Sequence, residues 1–430
     1  MRAWSVGIVL ALLVGSVVAC GASDPSEPAP NATEVVPAPS EDADDPDIAD
    51  PPEPPPNEGP KPPSGELVPG CTAKGTLGGA PMWFHFTRPD KPCAGKVGLD
   101  SHILDELVRL IDSVPAGGRI DGHIFSITVD GVAKALLDAQ TRGVDVWIST
   151  DGAVAASTDP AKVQYLDKLA HKVYCASAAR TSCVSSASAA ISHTKLFVFS
   201  SATTPDGTVA KDVVWLGSAN QTYASGMRLY NNTVTIYGDA PLFTSMRAYL
   251  DDLYERRTQN DYYDPSSGRG HILAESADIY VSPEVQTDIV VNRLDDITPD
   301  AQCEVRVMQA SIRDSRLDVV SRLVAMKQGG CKVEIVAHTV EPTAKAQLLA
   351  ASIPVRTNEI HDKTFIVHAK YGASYERRVY TGSHNLSGSA AHKYDEIFVK
   401  LAPEKGEAHP VYDAYVTHFS DAFDQAPPLK

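Results

Sequence analysis

Short apolar runs alternate with amphipathic stretches along most of this chain, and one series of them occurs twice. In the first occurrence Arg119-Ile120-Asp121-Gly122-His123-Ile124-Phe125 predicts a strand, Val132 to Gln140 a helix, and Val144 to Ile148 a second strand. In the second, Val305 to Ala310, Leu317 to Lys327 and Val333 to Val336 repeat the series. Gly143 and Gly330 stand at matching places just beyond the two helices, where a residue tolerant of positive φ ends a helix at little cost. Two more apolar runs follow in each half: Leu196 to Phe199 and Val213 to Leu216, then Thr364 to Val367 and Val379 to Tyr380. Strand, helix, strand and further strands, given twice, predict an α/β protein of two similar units. Their expected bounds are 71–265 and 266–430.

The first 70 residues break this pattern. Arg2 and an apolar run from Val6 to Ala19, closed by Cys20, read as a lipoprotein signal over 1–19, since the run is too short to span a bilayer. Cleavage before Cys20 and acylation of its thiol would leave an exported protein, anchored by lipid to a membrane of a bacterial cell envelope. Between Gly21 and Gly70, 15 prolines and 12 acidic residues face Lys61 as the only basic one. Such a segment cannot bury a core, so 20–70 is expected to be an extended, self-repelling tether. It carries −11 of the chain's −16 formal charge, which leaves the body only mildly acidic. The total charge is therefore no sign that anionic substrates are repelled, and no basic block advertises nucleic acid.

Six further cysteines fall into three close pairs, which agrees with export to an oxidising compartment. Cys71 with Cys93, Cys175 with Cys183, and Cys303 with Cys331 is the expected pairing among the fifteen that six cysteines allow. None has the spacing of a zinc ribbon.

The chemistry-bearing residues recur with the same period. His193-Thr194-Lys195 leads to Gly217-Ser218-Ala219-Asn220, and His361-Asp362-Lys363 leads to Gly382-Ser383-His384-Asn385. Residues two apart on an extended chain share a face, so each half offers an imidazole beside an ammonium. Packed about a pseudo-twofold axis, the halves would bring both sets to one cleft. Lys195 and Lys363 would neutralise the non-bridging oxygens of a phosphodiester, with Ser218, Asn220, Ser383 and Asn385 donating hydrogen bonds. One imidazole would attack phosphorus while the other protonates the leaving oxygen and then activates water. No metal or other cofactor is expected: an ammonium two residues from each histidine repels a cation, and no ligand spacing appears.

These motifs resemble those of the phospholipase D superfamily, whose signature is His-x-Lys, an Asp five positions on, and then Gly-Ser-x-Asn. The resemblance covers 80–430, and the chain departs from it at the Asp, with Ser200 and His368 in its place. It implies two α/β repeats, each a mixed sheet flanked by helices, with the active site between them. It also implies a downstream acidic residue that orients the histidine of the opposite half. Glu396 fills that role for His193, with Asn232 expected at the equivalent position of the first half. A carboxylate behind an imidazole raises its basicity, which makes His193 the expected nucleophile and His361 the acid and base.

Phosphodiester chemistry does not name what flanks the phosphorus. Lipid anchoring favours a phospholipid, cleaved to phosphatidate and head group by a monomer. A nuclease of the same superfamily and a non-catalytic phosphate-binding envelope protein are the alternatives, the latter resting on the missing Asp alone.

Overall fold

The computed structural model describes residues 67–264 and 268–429. The signal over 1–19, Cys20 and nearly all of the tether lie outside the described residues.

Two sheets carry the body, and they match strand for strand. The first runs, edge to edge, through Thr72–Leu77, Ala80–Thr87, Asn231–Ile236, Val209–Gly217, Leu196–Thr203, Arg119–Ile124, Asp145–Asp151 and His171–Cys175. The second runs through His271–Leu273, Ala277–Ser282, Glu396–Leu401, Ser374–Gly382, Lys363–Tyr371, Glu304–Ile312, Lys332–Val340 and Val355–Thr357, with Ile297–Thr298 beside Lys363–Tyr371. In each, the last three strands are parallel and the others antiparallel. The expected mixed α/β repeats are present. The expected helices extend over Asp130–Thr141 and Leu317–Gln328, and Gly143 and Gly330 take φ of +92° and +107° beyond them.

Each sheet buries its outer face under helices. His102–Ser113 and Asp130–Thr141 cover the first around Ile103, Leu107, Leu136 and Ile148. Ile289–Asp295, Leu317–Gln328 and Pro342–Ala350 cover the second around Val290, Leu323 and Val307. A third apolar cluster joins residues of both sheets, such as Val198, Leu216, Ile366 and Val399. It also takes in Met246 and Tyr249 of the helix Ala240–Glu255, and Tyr415 and Phe419 of the helix Pro410–Gln425. The two repeats therefore share a core and place the strand ends that carry the motifs side by side. Among the described residues no helix is long and apolar enough to cross a membrane.

All three expected disulfides are formed, across sequence separations of 22, 8 and 28 residues. Cys303–Cys331 joins the starts of the neighbouring parallel strands Glu304–Ile312 and Lys332–Val340. Closing a loop of that length removes freedom chiefly from the unfolded chain. Replacing Cys303 and Cys331 together by Ser should cost about 3–4 kcal/mol of stability by chain-entropy reasoning, read as a lower denaturant midpoint with an unchanged fold.

Candidate active site

Both His-x-Lys units sit at the mouths of central strands, one just before Leu196–Thr203 and the other running into Lys363–Tyr371. Their backbones are held from the opposite repeat. The His193 amide donates to the Asp395 carbonyl at 3.0 Å, and the His361 amide to the Tyr230 carbonyl at 2.9 Å. The rings are held the same way: His193 Nδ1 lies 2.8 Å from Glu396 Oε1, and His361 Nδ1 lies 2.8 Å from Asn231 Oδ1. Each imidazole thus has its Nδ1 fixed by the other repeat, which sets the orientation of the ring and makes Nε2 the nitrogen that can react. Lys195 Nζ donates to the His193 carbonyl at 2.7 Å. Lys363 Nζ donates to the His361 carbonyl at 2.8 Å and lies 2.8 Å from His361 Nε2.

The partner of Glu396 in the first repeat is Asn231, not the expected Asn232. Backbone pairing makes Tyr230 the counterpart of Asp395, so the equivalence is shifted by one residue from the one read in the sequence. Asn232 instead turns away into a buried network. Its Nδ2 donates to Asp362 and Thr364, and its Oδ1 accepts from Thr381 Oγ1 at 2.6 Å and Tyr415 OH at 3.0 Å. His418 completes this network, with Nε2 2.9 Å from Asp362 Oδ2. In the first repeat the corresponding Thr194 hydroxyl meets Tyr249 OH at 3.0 Å. The middle residue of each His-x-Lys is therefore clamped by the last helix of its own repeat.

The serines of the Gly-Ser-x-Asn units also differ from expectation. Ser383 Oγ donates to Glu396 Oε2, and Ser218 Oγ donates to Asn231 Oδ1 at 3.0 Å, so both hydroxyl protons are directed at the residues behind the imidazoles rather than toward a phosphate. The preceding glycines make this approach possible. A Cβ at Gly217 would stand 2.3 Å from the Asn232 carbonyl oxygen, and one at Gly382 the same distance from that of Ile397. Asn220 donates to Ser225 Oγ at 3.1 Å and leaves its Oδ1 buried without a partner, while Asn385 is buried at the matching turn.

Several supporting residues had no signal in the sequence. Asp395 accepts from the amides of Cys183, Val184 and Ser185 at 2.7 to 3.0 Å, which fastens the disulfide loop of the first repeat beside Glu396 of the second. Asp151 accepts from the Ser192 amide at 2.7 Å and from Thr181 Oγ1 at 2.9 Å. His123 Nε2 donates to the Ser192 carbonyl at 3.1 Å, and burial pushes this ring down to about 4, so it is neutral at pH 7. Phe125 packs its ring edge-on to His193 at 4.7 Å and lies under Lys195. Only a folded chain brings these four together.

Ser200 and His368, which replace the family Asp, stand five residues along their strands from the lysines, about 16 Å away at strand spacing. Ser200 Oγ accepts from the Arg119 amide at 2.8 Å, and His368 faces Tyr375. Their identity does not reach the imidazoles. Among the described residues no group of three or more His, Cys, Asp or Glu is placed to hold a metal ion.

A family model described as cardiolipin synthase, PLD-like domain, matches twice, over residues 107–254 and 296–423. The chain belongs to the phospholipase D superfamily. One match falls on each sheet, so each half of the duplication carries its own copy of the family domain. Among solved structures, phosphatidylserine synthase from Haemophilus influenzae Rd KW20 is similar in fold, with a TM-score of 0.50 at 13% identity, over 81% of this chain and 87% of that one. A phospholipase D family member, Nuc, from Salmonella typhimurium matches 36% of this chain and 98% of its own at 24% identity, with a TM-score of 0.28. None of the curated proteins matches.

Burial raises the Glu396 carboxyl, but the adjoining His193, with Lys195 and His384, outweighs it and holds the group below its usual range. A depressed carboxyl stabilises the fold above its unfolded value near 4.5, and that contribution is lost as pH falls through the folded value. Glu396→Gln should therefore destabilise the protein most above pH 5. The gap from the parent, followed by chemical denaturation across pH, should narrow as pH falls below the unfolded value; a constant gap would point to packing alone.

Proposed function

We propose that this member of the phospholipase D superfamily is a phosphodiesterase that hydrolyses a phospholipid to phosphatidate and free head group through a phosphohistidine on His193. The crossed support of the two imidazoles carries this reading: a carboxylate stands behind His193 and a neutral carboxamide behind His361. Glu396 stabilises the positive charge that a ring acquires when its Nε2 bonds to phosphorus. Asn231 fixes the tautomer of His361 without strengthening its hold on a proton, which suits a group that must release one.

In the first step His193 Nε2 bonds to phosphorus as the bond from phosphorus to the head-group oxygen breaks. His361 Nε2 delivers the proton that the leaving oxygen needs. A non-bridging oxygen seated at Lys363 takes that ammonium's hydrogen bond in place of the ring nitrogen, while Lys195 neutralises the other side. In the second step His361 takes a proton from water, the water oxygen bonds to phosphorus, and the bond to His193 breaks. Both histidines end as they began. The catalytic set is His193, Lys195, His361, Lys363 and Glu396, and Asn231 joins it as a positioning residue.

The choice of a phospholipid rests on the expected lipid anchor at Cys20 and on the matching family model, which is described by a cardiolipin synthase. Incubation with labelled phosphatidylglycerol or phosphatidylcholine, and separately with single- and double-stranded DNA, tests it by trapping an acid-labile, base-stable phosphoprotein. His193→Ala should abolish the adduct, and His361→Ala should let it persist, with turnover down by 100-fold or more, in line with the usual worth of a general acid. Adduct retained in His193→Ala would reverse the roles, and an adduct formed with DNA alone would make the protein a nuclease. Asn231→Asp would place a carboxylate behind His361, as Glu396 stands behind His193, and raise that ring's pKa. The alkaline limb of the kcat profile should then move to higher pH, and an unmoved limb would dissociate His361 from the acid role.

A further inference from the structure

The two repeats are near-equivalent in backbone but not in the polarity of the walls beside their lysines. Gln309 stands directly across the strand pair from Lys363, on the same face of the sheet. Its Oε1 and Nε2 are both buried without a hydrogen-bond partner, as is Ser311 Oγ two residues on. On the other side of Lys363, the strand Ser374–Gly382 leads into His384, a buried ring that no side chain hydrogen-bonds and whose polar atoms meet only the backbone of its neighbour Asn385. The rings of His384 and Phe365 each pack against Phe398, which places His384 on the face that Lys363 and Phe365 share.

The matching positions of the first repeat are apolar. Strand pairing makes Ile124 the counterpart of Gln309 and Phe125 that of Ala310, and the motif makes Ala219 the counterpart of His384. Ile124 and Ala219 lie in one apolar cluster, and Phe125 packs against His193. A fold keeps buried polar atoms unpaired at a cost in stability, and such atoms mark places where a bound group completes the hydrogen bonds.

We infer that Gln309, Ser311 and His384 form a leaving-group subsite on the His361 side that recognises an uncharged, hydroxyl-bearing alcohol, such as the glycerol head of a phospholipid. This rests on the phosphodiesterase reading. In-line displacement by His193 sends the departing oxygen toward His361, and Gln309 stands beside Lys363, whose ammonium lies 2.8 Å from that ring's Nε2. The three side chains together offer donors and acceptors but no charge: burial, reinforced by Arg316, holds His384 down to about 4, so its ring carries one N–H and one acceptor nitrogen. The nearby carboxylate Glu396 is engaged by His193 and Ser383, which leaves the subsite without a counterion for a quaternary ammonium. An acceptor alcohol enters by the path the leaving alcohol takes. Its oxygen bonds to phosphorus as the bond to His193 breaks, and its proton passes to His361.

The test compares ratios within one enzyme preparation, so partial misfolding of a variant cancels. For the full-length protein, kcat/KM is measured on phosphatidylglycerol and phosphatidylcholine, together with the partition of products between water and added glycerol. The parent should prefer phosphatidylglycerol, and Gln309→Leu and His384→Ala should each lower that preference and the glycerol partition about tenfold. Ratios unchanged within twofold, or a parent preference for phosphatidylcholine, would overturn the subsite. If no substrate is turned over, the phosphodiesterase reading falls, and binding decides the subsite. Glycerophosphoglycerol should then raise the unfolding temperature of the parent more than glycerophosphocholine does, and Gln309→Leu should erase the difference; equal shifts in the parent would end the proposal.

Discussion

Two hydrogen bonds that cross between the repeats hold this structure to its purpose: His193 to Glu396 and His361 to Asn231. Each imidazole is held at Nδ1 by a residue of the opposite repeat, not of its own. The partner residue is in each case the first residue of a strand in the other sheet. Docking of the repeats and assembly of the site are therefore one event. The apolar cluster shared by both sheets supplies the driving force for that docking, and the buried network of Asn232, Asp362, Tyr415 and His418 fixes its register.

Duplication supplies two copies of everything, yet the proposed chemistry needs two different histidines. The difference is made by single substitutions on a common frame. Glu396 against Asn231 separates a ring that gains from holding positive charge from one that is merely oriented. Ser383 and Ser218 serve those two residues in the same geometry, so the hydroxyls of the Gly-Ser-x-Asn turns act one step behind the chemistry. Gln309 and His384 against Ile124 and Ala219 continue the pattern, with buried polar groups near one motif and apolar ones at the matching places of the other. A phosphodiester is itself unsymmetrical, and a two-sided cleft of this kind can read its direction.

Sequence alone carried the period of the repeats, because strands and helices impose different spacings on apolar residues. It also carried the His-x-Lys and Gly-Ser-x-Asn units and the three close cysteine pairs, all of which are local in the chain. Glu396 was legible as the acidic residue downstream of the second unit. Its counterpart was not, because Asn231 and Asn232 are adjacent and chemically identical, and only the pairing of Tyr230 with His361 and of Asp395 with His193 decides which one faces the ring.

What the sequence determined, then, was the inventory: two α/β units and the groups each brings to the mouths of its strands. The tertiary structure decided who supports whom. Asp395 fastening a loop some 210 residues away, His418 reaching Asp362 from the final helix, and Gln309 standing beside Lys363 are contacts between segments remote in sequence. No periodicity records such contacts, since a side chain's partner across a domain interface depends on how two finished surfaces meet and not on its neighbours along the chain.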